Sequence, residues 1–165
     1  MAVVAAAVAG EVLAVVLTEN RISDDAVVAE MLAQIEEDLL SCAGDGAYDK
    51  RKVYDALHQH SPDADILIPP RKNAHIWQHG NSKQERHKRD ENLRYIRKHG
   101  RNQWKEESGY HIRSLAETFM FRLKTIFGDK LSARLLETQS TQALIRCLAL
   151  NKMTCLGMPD SYLVA

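Results

Sequence analysis

The sequence predicts an α/β domain, and three observations predict it. Short runs rich in Val, Leu and Ile alternate with helical periodicity between Glu11 and Ile68. Turn signals cut these runs off, Gly44 after one and Pro69-Pro70 after another. A 45% hydrophobic fraction over 165 residues suits one globular domain, residues 1–165, with a sizeable core. Strand, helix, strand, helix, strand is the order that lays helices against a sheet.

In chain order, Glu11–Thr18 is Val- and Leu-rich and reads as a strand. Ser23 can cap a helix, with Asp24 and Asp25 in its first turn. Val28, Met31, Leu32 and Ile35 supply the i, i+3, i+4, i+7 face of that helix. Leu39–Ala43 is a short buried strand ending at Gly44. Asp49–His60 reads as a helix packing through Val53, Ala56 and Leu57, with Pro62 marking its end. Asp65–Ile68 is a further buried strand, stopped by the two prolines. The polar stretch from Arg71 to Asp90 has no clear period and reads as a loop, running into a basic helix around Glu91–His99. Residues 109–124 read as one amphipathic helix with Ile112, Leu115, Phe119, Leu123 and Ile126 on its apolar side. Leu131–Leu156 is largely helical, with Leu144, Cys147, Leu148 and Leu150 as packing residues.

The formal net charge of zero conceals a segregation. Residues 1–70 hold 4 Lys+Arg against 13 Asp+Glu, whereas residues 71–105 hold 11 against 3. A basic insertion at about 71–105 suits a phosphate backbone better than a small substrate. The plainer alternative is a solvated loop and helix. Cys42, Cys147 and Cys155 are distant, odd in number and set in apolar stretches, so buried free thiols in a reducing, cytoplasmic compartment are expected. The opening MAVVAAAVAGEVLAVVL has no positive flank, and Glu11 interrupts it. It is too short and broken for a membrane span, and two short strands joined near Ala9-Gly10 explain it better than a signal sequence.

Three stretches carry candidate chemistry. In GYHIRSLAETFMFRLK, at ~100° per residue, Arg113 points ~300°, Glu117 ~340° and Lys124 ~320° from Tyr110. One carboxylate and two cations thus line up opposite the apolar side, either as a solvated ion-paired surface or as a site. In GDGAYD, Asp45 follows a buried strand and precedes a helix. Reactive groups gather at such carboxyl ends of strands, and Gly44, Gly46 and Ala47 leave room for a ligand. An Asp-Gly turn is the alternative, although the following helix argues against a hairpin. In IPPRKNA, the prolines fix the strand's exit and hold Arg71 and Lys72 at the same sheet edge, as a site or as two ordinary surface cations.

Tyr110, Arg113, Glu117 and Lys124 at this spacing resemble the YREK signature of bacterial insertion-sequence transposases of the DDE type. GDGAYD resembles the segment carrying the family's second catalytic Asp, and IPPRKNA and ALNKMTCLGM are similar to further stretches of it. The resemblance runs from about Gly10 to about Pro159. It implies a ribonuclease H-like mixed sheet flanked by helices, with the first strand truncated here. It implies DNA strand cleavage and transfer, in which two Asp and one Glu hold two divalent ions, Mg²⁺ or Mn²⁺. Two such ions can activate the attacking oxygen and stabilise the leaving one, and hard cations prefer carboxylate oxygens. Asp45 then matches the second Asp and Glu117 the Glu, both catalytic and metal-binding. Arg113, Lys124 and Tyr110 match DNA-contacting positions, and local charge adds Arg71 and Lys72. The implied partners are transposon-end and target DNA, with action as a homodimer near the bacterial nucleoid and no membrane.

The sequence departs from that family at its start. The first Asp is expected a few residues before a Gly-Glu pair resembling Gly10-Glu11. Met1–Ala9 contains no acidic residue, and the position falls among Ala5–Ala7. A further N-terminal region is also usual, so a late-starting reading frame or a decayed gene copy is expected, with poor cleavage by this polypeptide alone. A non-catalytic DNA-binding remnant using residues 71–105 is the alternative, and an unstable fragment with an exposed sheet edge is a third. His58 and His60, and His75 and His79, have no Cys at ligand spacing, which argues against a structural zinc. Trp77 and Trp104 could stack on a base, but packing explains each better.

Overall fold

A computed structural model describes residues 2–8, 11–19, 21–79 and 86–157, the first of these segments by its backbone alone. The chain divides into two compact units, residues 1–22 with 115–165, and residues 23–114. Each is mixed α and β, with a two-stranded sheet.

In the first unit, β1 (Ala2–Val8) pairs antiparallel with β2 (Glu11–Thr18), from Ala2 opposite Thr18 to Val8 opposite Glu11. The expected joint at Ala9-Gly10 lies outside the described residues. The register shifts at Ala6/Ala7, the signature of a bulge. Alternation along β2 buries Val12, Ala14, Val16 and Thr18. The unit also holds two helices, α5 (Ser114–Phe127, from Leu115 onward) and α6 (Leu136–Cys155). Val12 packs with Phe119 and Leu123 of α5 and with Cys147 and Leu150 of α6. The Asn151 side chain completes the seam. Its amide nitrogen donates to the Val12 carbonyl and its oxygen accepts from the Val12 N–H, both at 2.8 Å. An amide thereby does for one residue of β2 what a neighbouring strand would do.

Several sequence expectations are corrected in this unit. The stretch 109–124 is not one α-helix. Tyr110–Arg113 forms a 3-10 turn, and the α-helix begins only at Ser114. A constant 100° per residue therefore fails across the join, because 3-10 turns advance about 120°. The apolar side is also narrower than expected, since Phe119 and Leu123 are buried while Leu115 and Ile126 are exposed. On α6, Ala143, Cys147 and Leu150 turn inward, and Leu144 (47%) and Leu148 (57%) are exposed. Offsets of four and seven residues keep one face, and Leu144 and Leu148 lie one position off that line. Cys155 is exposed, and its thiol donates to Glu11 Oε1 at 2.9 Å.

The second unit keeps the expected alternation of strands and helices, with two corrections: the Ser23 side chain makes no capping bond and only Val28–Leu32 is α-helical, and the strand expected to be buried from Leu39 is Ser41–Ala43, half-buried, with Leu40 92% exposed. A 3-10 turn at Asp24–Ala26 leads into α1 (Val28–Leu32), then β3 (Ser41–Ala43), α2 (Arg51–His60) and β4 (Asp65–Leu67). β3 and β4 pair in parallel, Cys42 opposite Ile66. Parallel pairing needs a crossover, and α2 supplies it. Leu32, Val53, Tyr54, Leu57, Ile66 and Ile68 form the core between helices and sheet. Buried Asp25 lies between Lys50 and Lys52, each at 2.6 Å. Burial alone would raise its pKa, but hydrogen bonds from Lys50, Lys52 and Ser23 hold the carboxyl well below the usual carboxylate range. Two more helices, α3 (Lys88–His99) and α4 (Arg101–Glu107), complete the unit. Gly100 joins them at φ +92°, where a side chain would be strained.

The region read as a basic insertion is thus partly helical, and many of its cations serve the fold. Arg94 donates to the Gln78 carbonyl, Arg97 to Ala74 and Arg101 to Pro70, at 3.2, 3.0 and 2.5 Å. Lys88 donates to the carbonyls of Asp63 and Ala64. A loop with little apolar content is held by charge-assisted bonds to backbone oxygens instead. Trp104 is buried, with its ring N–H on Asn92 Oδ1 at 3.1 Å, and so has the packing role expected for it.

Candidate functional site

The parallel pair β3–β4 sends both chains out at one sheet edge. Asp45 stands two residues past the end of β3, and Pro69, Pro70 and Arg71 stand at the matching end of β4. Asp45 caps a 3-10 turn, Gly46–Tyr48, its Oδ1 accepting from the Ala47 N–H at 2.7 Å. The carboxylate is exposed. Small residues shape the loop: a Cβ on Gly46 would approach the Pro69 carbonyl at 3.5 Å, and one on Gly44 would press on the Tyr48 ring at 3.2 Å. Arg71 Nε reaches the Gly46 carbonyl at 3.4 Å, which places its guanidinium beside the Asp45 loop. Lys72 follows it, exposed. Burial pushes the neighbouring Tyr48 hydroxyl up to about 12, reinforced by Asp24, Asp45 and Asp25, so the phenol stays protonated at neutral pH.

The 3-10 turn carrying Tyr110 and Arg113 also belongs to the second unit and comes within 8 Å, Cα to Cα, of β3. Residues three apart eclipse in a 3-10 turn, which sets the Arg113 guanidinium 5.8 Å from the Tyr110 ring centroid. Trp104 lies against the other contact of that ring, 5.4 Å between centroids. Gly109 makes the turn possible at φ +72°.

Glu117 and Lys124 lie in the first unit, on α5. Both are exposed, and a spacing of seven puts them on one helix face. Of the residues singled out from sequence, Asp45, Arg71, Lys72, Tyr110 and Arg113 therefore share one unit, and Glu117 and Lys124 share the other. Among the described residues no group of three His, Cys, Asp or Glu is gathered so as to hold a metal ion. Asp45 and Glu117 each have the hard oxygen donors that Mg²⁺ takes.

Beneath the Asp45 loop lies a network that periodicity could not reveal. Asp49 is buried and receives Arg89 Nε on Oδ1 at 2.5 Å and Arg89 Nη2 on Oδ2 at 3.2 Å. Arg89 also donates to the His75 carbonyl at 2.8 Å and stacks 3.8 Å over the Trp77 ring. Asp90 accepts from the backbone N–H groups of Trp77 and Gln78. Trp77, Tyr54 and His87 meet edge to face around this cluster, so packing is also the role of Trp77. The only sequence hint of this cluster was the last Asp of GDGAYD. Arg89-Asp90 lies in a stretch without a period.

His87 caps α3, its Nδ1 accepting from the Arg89 N–H at 3.2 Å. Burial lowers the His87 pKa from its ordinary value, with Arg51 and Arg89 adding to the effect against Asp90. A depressed folded value means the unfolded chain takes the proton first. The cap's stabilisation is then present above the unfolded pKa and lost as pH falls through the folded one. The urea midpoint read by tryptophan fluorescence should drop between about pH 7 and pH 5.5. A His87→Asn variant, which keeps an acceptor at the cap, should show a shallower drop.

No solved structure matches the chain. Residues 1–152, nearly all of it, match the family model of the transposase DDE domain. The chain belongs to the DDE transposase family.

Proposed function

We propose that this chain is a DDE transposase catalytic domain of the YREK-signature, bacterial insertion-sequence type, built as one ribonuclease H-like domain and acting on transposon-end and target DNA as a homodimer. The observation that carries this is Asp45, exposed at the carboxyl end of β3 with Arg71 beside it. Asp45 and Glu117 are its metal-binding catalytic carboxylates, for Mg²⁺ or Mn²⁺. Arg71, Lys72, Tyr110, Arg113 and Lys124 contact DNA. Divalent ions, when bound by a complete set, supply the activated oxygen and offset the phosphate charge. The chain's own residues orient the phosphate, with Arg71 and Arg113 as forked donors suited to its oxygens. Because Met1–Ala9 offers no acidic side chain, this polypeptide binds DNA but cleaves it poorly alone.

The second reading, a DNA-binding remnant without catalysis, draws on the basic density of residues 71–105. Lys88, Arg94, Arg97 and Arg101 of that stretch are spent on backbone carbonyls, whereas Arg71 commits only its Nε to Gly46, which favours a phosphate surface that includes Arg71 and Lys72. Fluorescence anisotropy with duplex DNA locates that surface, and cleavage separates the two readings. Affinity should fall steeply with salt, and the slope of log affinity against log salt should shrink by about 1 for Lys72→Ala. An unchanged slope for Lys72→Ala and Arg113→Ala, with a reduced one for Lys98→Ala, would move the interface to the insertion.

A further inference from the structure

The Asp45 loop is tied to the rest of its unit at both ends, and at its far end through one buried carboxylate. The loop's first residue, Gly44, donates to the Leu67 carbonyl at 3.3 Å. Its last, Asp49, accepts the Arg71 backbone N–H on Oδ2 at 2.9 Å, and Arg71 Nε returns to Gly46. Asp49 is in turn locked by the Arg89 fork, and Arg89 by the His75 carbonyl and the Trp77 ring. A single carboxylate thus fixes the end of the loop that carries Asp45, the backbone of Arg71 and the start of α3.

Resting on the reading of Asp45 and Arg71 given above, we infer that Asp49, clamped by Arg89, is a positioning residue: it sets the Asp45 carboxylate and the Arg71 guanidinium in register without touching DNA itself. Asp49 and Arg89 are both nearly inaccessible to solvent, so neither can reach a substrate. The backbone bond to Arg71 is what distinguishes the pair from a merely stabilising one. Groups one step removed from reacting atoms commonly act in this way, by fixing the orientation of those that touch.

Amide hydrogen exchange on the full-length chain tests the inference. Asp49→Asn should speed exchange of the Ala47, Tyr48 and Ala74 amides by about tenfold or more relative to wild type. Leu57→Ala, a core change in the same unit brought to equal global stability, should leave those amides slow. Because Asp49→Asn strands a buried guanidinium, the double variant Asp49→Asn/Arg89→Gln supplies a neutral pair that folds. It should regain thermal stability while the three amides remain fast. Wild-type exchange at these amides in either folded variant overturns the inference. A wild-type chain that fails to bind DNA would instead refute the proposed function and leave the exchange result standing.

Discussion

Phe119→Ala is expected to cost the first unit about 3–5 kcal/mol, the range for deleting a fully buried aromatic ring. Phe119 is 1% exposed and sits where β2, α5 and α6 meet, against Val12, Leu123, Cys147 and Leu150. These neighbours come from three elements, so no single side-chain shift can refill the cavity. The core they form is small, and a loss of this size is a large part of what a domain has. Both tryptophans, Trp77 and Trp104, lie in the other unit, so their fluorescence will not report the change. Hydrogen exchange along α6 will. The Val12 amide, held by Asn151, should lose protection with it. Exchange along α6 at the wild-type rate would show that the three-element core contributes little.

Arg89→Met should be as damaging to the second unit, by about 3–5 kcal/mol, for a different reason. It removes the fork and leaves Asp49 buried without its charge partner, and an uncompensated buried charge costs more than the pair itself contributes. Asp90 retains the Trp77 and Gln78 N–H groups and suffers less. Removing both charges with Asp49→Asn/Arg89→Gln should recover most of the loss, since two neutral amide groups desolvate cheaply. Here tryptophan fluorescence is the right probe, because the Arg89 guanidinium stacks on Trp77. A urea midpoint in Arg89→Met equal to that of the double variant would mean the pair is not coupled.

Strong local signals were legible in the sequence and weak ones were not. β2, α2 and β4 fall where the apolar runs, helical spacing and proline stop put them, whereas β3 is shorter and less buried than its apolar run suggested, with Leu40 exposed. Asp45 lies at the strand end because Gly44 and the following helix leave it nowhere else. The stretch 109–124 was harder. Its hydrophobic spacing satisfies an α-helix throughout, but Gly109 enters from the left-handed region, and the first turn tightens to 3-10 before the helix settles at Ser114. On α6, Leu144 and Leu148 fit an apolar pattern as well as Ala143 and Cys147 do. Composition could not choose between adjacent stripes, because the choice is made by Val12 and Phe119, far away in sequence. The Asp49–Arg89–Asp90 network was invisible for the same reason: partners 40 residues apart leave no periodic trace. Charge segregation carried no partners: a count of cations does not show that Arg94, Arg97 and Arg101 are turned to carbonyls.

On the proposed reading Asp45 and Glu117 are metal-binding carboxylates, and DNA cleavage is the point on which that reading is tested. Among the described residues no helix is long and apolar enough to cross a membrane, and the family implies DNA as a partner. The most direct measurement is cleavage of an end-labelled DNA duplex by the purified chain with Mg²⁺ or Mn²⁺, alongside Glu117→Ala. The expected result is DNA binding with cleavage no greater than that of the Glu117→Ala variant. Robust cutting by the chain that disappears in Glu117→Ala would contradict the account and show that its carboxylate set is complete.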